Sequence, residues 1–349
     1  MLLLLRYAIL PDIERYHADI VAASSHALGR TVEIGRIEAD WNGLRPQLLL
    51  SDVKVLDARG QVAVELPRLH NTVAWSTLIA GELRFHSLEL ASPDLLVRRD
   101  AQGKISVAGI TADAQAGVSS DASTSEWWLR HSNIIVRGGH VVWQDDMRAK
   151  PPLEFRDVEL RIFNRGERHR FALHTLIATK QPSRIDLRGD LYGDSLTNLN
   201  EWQGELFAQL DGVDVTDWGQ WFALPESVKS GAGKARVWLG LSRGEIDRMD
   251  IDVDLHDVNV KLAEALPRLD MPSLSGRLAW AHAGEGLDVS TKGLALRLRD
   301  GFVLKPTDIT IQYSPKEGYR SASGEVSANA LDLSDINTLL AYFPLEGDL

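Results

Sequence analysis

Met249-Asp250-Ile251-Asp252-Val253-Asp254-Leu255 alternates without a break between apolar and acidic residues. Side chains along a strand point to opposite faces in turn, so this run sets its carboxylates on one face and its apolar groups on the other. That is the pattern of a half-buried strand with one wet side. The carboxylates do not make an EF-hand loop. With Asp250 in first place, the sixth position is Leu255 and not glycine, and the twelfth is Lys261 and not glutamate.

The same period extends outward in both directions from about Thr31. Upstream of the first run it marks 31–37, 47–56, 62–66, 83–90, 95–99, 133–137, 140–144, 153–164, 169–178, 184–191, 205–210 and 235–241. Downstream it marks 276–281, 293–299, 308–313 and 325–333. Short Gly-, Pro- or Asp-rich turns such as Asp57-Ala58-Arg59-Gly60 separate these runs, which predicts antiparallel meanders of short strands. A strand followed by one helical turn occurs twice. GELFAQLDGVDVTDWGQWFALP runs from Gly204 to Pro225, and GEVSANALDLSDINTLLAYFP from Gly324 to Pro344. Thr216 and Ser334 are the expected N-caps, with Pro225 and Pro344 as stops. Ser230-Gly231-Ala232-Gly233-Lys234 has only a faint likeness to a phosphate loop, since Val228 and Ala235 replace the residues that chemistry needs; it reads as a hairpin turn.

Before the strands, Pro11-Asp12 opens an amphipathic helix with Ile13, Tyr16, Ile20, Ala23 and Ala27 on one stripe, closed by Gly29. The apolar run before it, MLLLLRYAIL, is broken by Arg6 and falls short of the roughly 20 residues of a spanning helix. It reads either as a hydrophobic tip packed on the body or as the tail of a transmembrane helix whose start is missing. Residues 111–125, TADAQAGVSSDASTS, contain no large apolar side chain and read as a flexible loop. The expected divisions are a membrane-proximal segment and helix at 1–29, a first β section at 30–110, the loop at 111–125 and a second β section at 126–349.

Composition narrows the function. The 349 residues, 44% hydrophobic and 25% charged, suit a folded chain. A formal charge of −11 argues against nucleic-acid partners, which need a basic face. The absence of cysteine excludes disulfides, thiolate metal sites and cysteine nucleophiles. The ten histidines show no metal-ligand spacing, no Gly-x-Ser-x-Gly elbow is present, and neither a catalytic constellation nor a cofactor is expected. The basic turn Arg165-Gly166-Glu167-Arg168-His169-Arg170 reads as a solvated hairpin, with anionic headgroups or a partner's carboxylates as the alternative contact.

Gly29 to Asp57, GRTVEIGRIEADWNGLRPQLLLSDVKVLD, placed directly after a short amphipathic helix, resembles the start of AsmA-like proteins of Gram-negative envelopes, especially the YhdP branch. Gly81-Glu82-Leu83-Arg84-Phe85, Arg98-Arg99-Asp100, Arg168-His169-Arg170-Phe171, Arg236-Val237-Trp238-Leu239 and Gly276-Arg277-Leu278 continue the likeness in order. The resemblance implies a mainly β chain forming an elongated, twisted, open antiparallel β-groove with short helices between repeats. It implies the N-terminal portion of a periplasmic protein anchored to the inner membrane through a missing upstream helix. Phospholipids are the implied cargo, carried from the inner toward the outer membrane, with envelope proteins as further partners. If strands cross the groove's long axis, each adds about 4.8 Å to its length.

The groove-lining candidates follow from parity within each strand. They are Leu48, Leu50, Leu83, Phe85, Val141, Trp143, Leu160, Ile162, Phe171 and Leu173 in the first half. In the second half they are Val237, Leu239, Ile251, Val253, Leu255, Leu294, Leu296, Leu298, Ile309 and Ile311. Parity does not carry across a bulge. Two rivals stand beside the groove: an envelope scaffold or outer-membrane assembly factor with a closed, side-chain-filled β core, and an enzyme of envelope polysaccharide using Asp145 and Asp146.

Overall fold

The computed structural model of this chain describes residues 10–28, 30–42, 45–56, 60, 62–73, 85–103, 105–107, 110–111, 132–194, 198–221, 227–261, 266–283, 286–315, 322–329 and 338. The apolar run before Leu10, Leu83, the loop expected from 112 onward, and Ser334 and Pro344 of the second strand-and-turn copy lie outside them. A 3-10 turn, Leu10–Tyr16, leads into helix α1, His17–Leu28. The tighter 3-10 winding shifts the apolar stripe: Ile13, Ile20 and Val21 pack on the strands below, whereas Tyr16 is 41% exposed. His17 bonds through Nε2 to the Ile34 carbonyl (2.7 Å), and Ser25 Oγ accepts the Val32 N–H (3.0 Å), which ties the helix to the first strand.

The chain is mainly β, with mostly antiparallel ladders. Eighteen strands occur among the described residues. They are β1 (Val32–Asn42), β2 (Arg45–Leu56), β3 (Val62–Val73), β4 (Phe85–Ala91), β5 (Asp94–Arg99), β6 (Ile105–Val107), β7 (Ile110–Thr111), β8 (Asn133–Asp145) and β9 (Leu153–Arg165). β10 (Arg168–Ile177), β11 (Ser183–Tyr192) and β12 (Gln203–Asp214) come next, followed by helix α2 (Val215–Trp218). β13 (Val228–Ser242), β14 (Glu245–Val260), β15 (Leu269–Ala283), β16 (Gly286–Arg297), β17 (Val303–Pro315) and β18 (Ala322–Ala328) complete the set. Two compact units emerge: the first holds Met1–Ala178 and Asp190–Leu199, the second Thr179–Gly189 and Asn200–Leu349.

In the first unit β1 pairs with β2, β2 with β3 and β3 with β4, all antiparallel. β8 then lies parallel to both β4 and β5 before the antiparallel order resumes through β9 and β10. This departs from an unbroken meander, and the chain between Arg99 and Asn133 is long enough for the connection that parallel pairing requires. In the second unit β12 to β18 form one uninterrupted antiparallel ladder. Among the described residues no pairing joins β12 to β18, so that ladder does not close on itself.

Three local expectations are corrected. The cap of α2 is Asp214 and not Thr216, because the extended Asp214 places its carboxylate on the N–H groups of Thr216 and Asp217. Ser230–Lys234 is no turn but the start of the 15-residue β13. Its Gly233 lets β13 close on β14, since a Cβ there would stand 2.2 Å from the Asp254 carbonyl oxygen. The segments 133–137 and 140–144 are one strand, joined through Gly138 at φ 59.

Gly138 belongs to a recurring feature. Asp52 in β2, Ser92 between β4 and β5, Gly138 in β8 and Asp157 in β9 all have left-handed φ, and the register shifts around Gly139. In the second unit Gly212, Asp257 and Gly293 do the same in β12, β14 and β16. Such residues bend a strand and tighten its twist. Each also reverses the phase of alternation. In β2 the buried residues are Leu48 and Leu50 before Asp52, then Val53 and Val55 after it. One face therefore stays apolar across the bend.

Candidate functional site

Register, with this phase change, assembles apolar side chains into rows that run across strands. In the second unit Leu206 stands opposite Leu239, Leu239 opposite Met249, Met249 opposite Trp280, Trp280 opposite Val289 and Val289 opposite Ile311. The next row is Ala208, Val237, Ile251, Leu278, Thr291 and Ile309. Directly opposed residues share a face, so six strands present one apolar surface. At about 4.8 Å per strand its rows span roughly 24 Å. No member of either row is buried, and Ile311 is 41% exposed. Among the described residues no buried cluster of side chains covers these two rows.

The opposite face of the same strands is wet and charged. Arg277 grips Asp252 with two bonds, Nε to Oδ1 (2.5 Å) and Nη2 to Oδ2 (2.7 Å), and the hydrogen bond holds the Asp252 carboxyl below its ordinary range. The Arg277 guanidinium also lies 5.2 Å from the centre of the Trp238 ring. The acidic side of the 249–255 run is thus a solvated face laced by ion pairs. Among the described residues no group of three His, Asp or Glu could hold a metal ion.

The apolar surface differs at its two ends along the strand direction. Past Asp257, Val258, Leu269, Met271 and Leu298 form a buried cluster, with Leu255, Leu274, Leu296 and Phe302 packed against it. At the other end Leu241 stands opposite Ile246, which is 43% exposed, and Trp280 meets His282 edge-on at 4.8 Å.

The first unit carries analogous rows. Ile37, Leu50, Leu69, Leu90, Val136, Leu160 and Leu173 form one, and Ala39, Leu48, Asn71, Leu88, Ile134, Ile162 and Phe171 the next. Here the β1–β3 portion is shut. Val32, Ile34, Ile37, Leu48, Leu50, Val53, Val55, Val64 and Leu66 make a core roofed by Ile13, Ile20 and Val21 of the N-terminal turn and helix. Asn71 interrupts it: its side chain is buried and its amide oxygen has no hydrogen-bond partner.

The predicted lining residues therefore occupy different settings. Val237, Leu239, Ile251, Val253, Leu255, Leu294, Leu296 and Ile309 are half-buried and Ile311 is exposed, while Leu298 lies in the closed cluster at 3% exposure. Val141, Trp143, Leu160, Ile162, Phe171 and Leu173 are half-buried in the first unit. Leu48 and Leu50 sit in the shut core; Phe85 is the first residue of β4. Parity alone missed Leu206, Leu278, Trp280 and Val289. A usable signal was present, for Asp-Val follows a polar residue at Ser51-Asp52-Val53, Arg156-Asp157-Val158 and His256-Asp257-Val258, and in each the Asp is left-handed. Aspartate tolerates that conformation better than most residues, and a valine next to it restarts the apolar face.

The polar candidates are committed to ion pairs. Asp145, nearly buried, is held by Arg99 through a pair of bonds, and that contact lowers its pKa. Asp146 is lowered by hydrogen bonds from Gln144 and then Arg98. A carboxyl so stabilised as an anion is a poor general acid. In the basic turn Arg168 chelates Asp190 (2.8 and 2.6 Å), and buried His169 bonds Asn164 and the Gly193 carbonyl, so the turn is pinned to its own neighbours.

No helix among the described residues is long and apolar enough to cross a membrane. Residues 1–349 match the family model described as YhdP protein. No curated protein matches the chain, and no solved structure matches it.

Proposed function

We propose that this chain, which belongs to the YhdP family, conducts phospholipid acyl chains along the apolar faces of its sheets. The family is one of envelope lipid transport. The observation that carries the reading is the uncovered apolar surface of β12–β17, built by register from six strands and backed by a charged face. A phospholipid entering water loses about 0.8 kcal/mol for each exposed CH₂, more than about 10 kcal/mol for two chains. A continuous apolar strip removes most of that barrier, needs no cofactor and does no bond chemistry. Movement from the inner toward the outer membrane, a periplasmic location and an inner-membrane anchor complete the proposal, on the strength of the resemblance. The lining side chains proposed are those of the half-exposed rows, with Val237, Ile251 and Leu278 at their centre.

The test is mass spectrometry of solvent extracts from the purified protein, with and without Ile251→Asp. Phospholipid in the wild-type extract and its loss in a variant with an unchanged circular-dichroism spectrum are expected. Equal lipid in both, or none in either, sinks the reading. The shut core of β1–β3 favours the scaffold reading for that portion of the first unit.

A further inference from the structure

The two ends of the second unit's apolar surface differ in a way that a lipid would feel. At one end Val258, Leu269, Met271 and Leu298 are buried against each other, and Leu304, opposite Leu296, is buried at 2% exposure. Every side chain of that cluster is apolar. At the other end exposed Ile246, half-buried Leu241 and the Trp280–His282 pair border water, each of the last two presenting an apolar body and a polar N–H. From Met249 to Leu255 the strand rises about 20 Å at ~3.3 Å per residue. One bilayer leaflet's acyl chains fill about half of a ~30 Å hydrocarbon core, so a single lipid fits between the two ends.

Resting on the lipid reading above, we infer that phospholipid seats on this unit with one polarity. The headgroup lies at the Leu241–Ile246 and Trp280–His282 rim, and the acyl chains run along the strands toward the Val258–Met271–Leu298 cluster. Burying an ionised phosphate against that dry cluster would strip its hydration with no polar partner to replace it. At the rim water reaches it, and indole and imidazole rings suit the boundary between chain and headgroup. The bend at Asp257 belongs to this arrangement, since the residues beyond it pack onto Leu255 and Leu274 and close the surface at that end.

The experiment uses the unaltered 349-residue chain. It is loaded separately with phosphatidylethanolamine bearing a diazirine on its headgroup or at the terminal carbon of one acyl chain, irradiated, and mapped by peptide mass spectrometry. The headgroup probe should label peptides around 241–249 and 278–289 several-fold more than those around 255–260, 269–274 and 296–304, and the chain-end probe the reverse. Exchanged patterns, or equal labelling of both ends by each probe, overturn the polarity while leaving lipid carriage standing. Labelling no greater than that by a water-soluble diazirine overturns both.

Discussion

The β1–β3 portion of the first unit and the β12–β17 ladder of the second are made by the same device and end in opposite states. Both alternate apolar and polar residues, both change phase at a left-handed residue, and both align apolar rows by register. In the first, the N-terminal turn and α1 lie across the rows and the apolar residues are buried. In the second, nothing among the described residues covers Val237, Ile251 or Leu278, which remain half-exposed. Alternation thus specifies an apolar face but not its occupant; that depends on whether another element of the chain packs onto it.

Substitutions can break the contrast, the largest effect coming from charge. Leu50→Asp places a carboxylate inside the shut core and should abolish cooperative folding of that unit, whereas Ile251→Asp, on the half-exposed rows, should leave a folded chain. Circular dichroism and urea unfolding distinguish them, and equal loss of structure in both would mean that the second surface is also a core. Truncation gives a milder version. Leu50→Ala should cost about 2–5 kcal/mol, and Ile251→Ala about 1 kcal/mol because part of its side chain is already in water. Asn71→Leu should act in the other direction, stabilising the first unit by roughly 1–3 kcal/mol in urea unfolding, since it removes a buried oxygen without a partner.

The smallest expected effect is on pH dependence. His140 bonds Asp94 through Nδ1 (3.0 Å) and Glu154 through Nε2 (2.8 Å). Burial lowers its pKa, but the two carboxylates together outweigh that and raise it above the ordinary value. A histidine raised in the folded state adds stability that is full below the unfolded value of 6.5 and is lost as pH climbs through the folded one. Stability should therefore decline slightly as pH rises through neutrality, and His140→Gln should flatten that slope. A slope unchanged in the variant would assign it elsewhere.

Much of this was legible in sequence. The run from Met249 to Leu255 declared its two faces, and register, which sequence does not give, sets Val237 opposite Ile251 and Leu239 opposite Met249. Strand lengths were underestimated because left-handed positions look like turns: Gly138 split β8, and Ser230–Lys234 passed for a hairpin. The parallel neighbours of β8 were not visible either, since register between distant strands leaves no local pattern. Nor could Leu48 and Leu50 be told from Ile251. All are apolar residues in alternating strands, and only the packing of Ile13 and Ile20 sets the first pair apart.

The left-handed aspartates have a consequence for how such a sheet can vary. Between Leu255 and Val258 two residues intervene where regular alternation would have one, yet both side chains join the same cluster. Deleting Asp257 would restore simple alternation in β14 and leave Leu255 and Val258 facing the same way, moving the extra residue into a bulge on β15, which has two residues between Leu274 and Met271. Curvature and facing are therefore written by separate letters. Single-residue insertions and deletions at these positions can flatten or fold a sheet of this kind without turning its oily side outward, so its cross-section is free to drift while its surface chemistry is conserved.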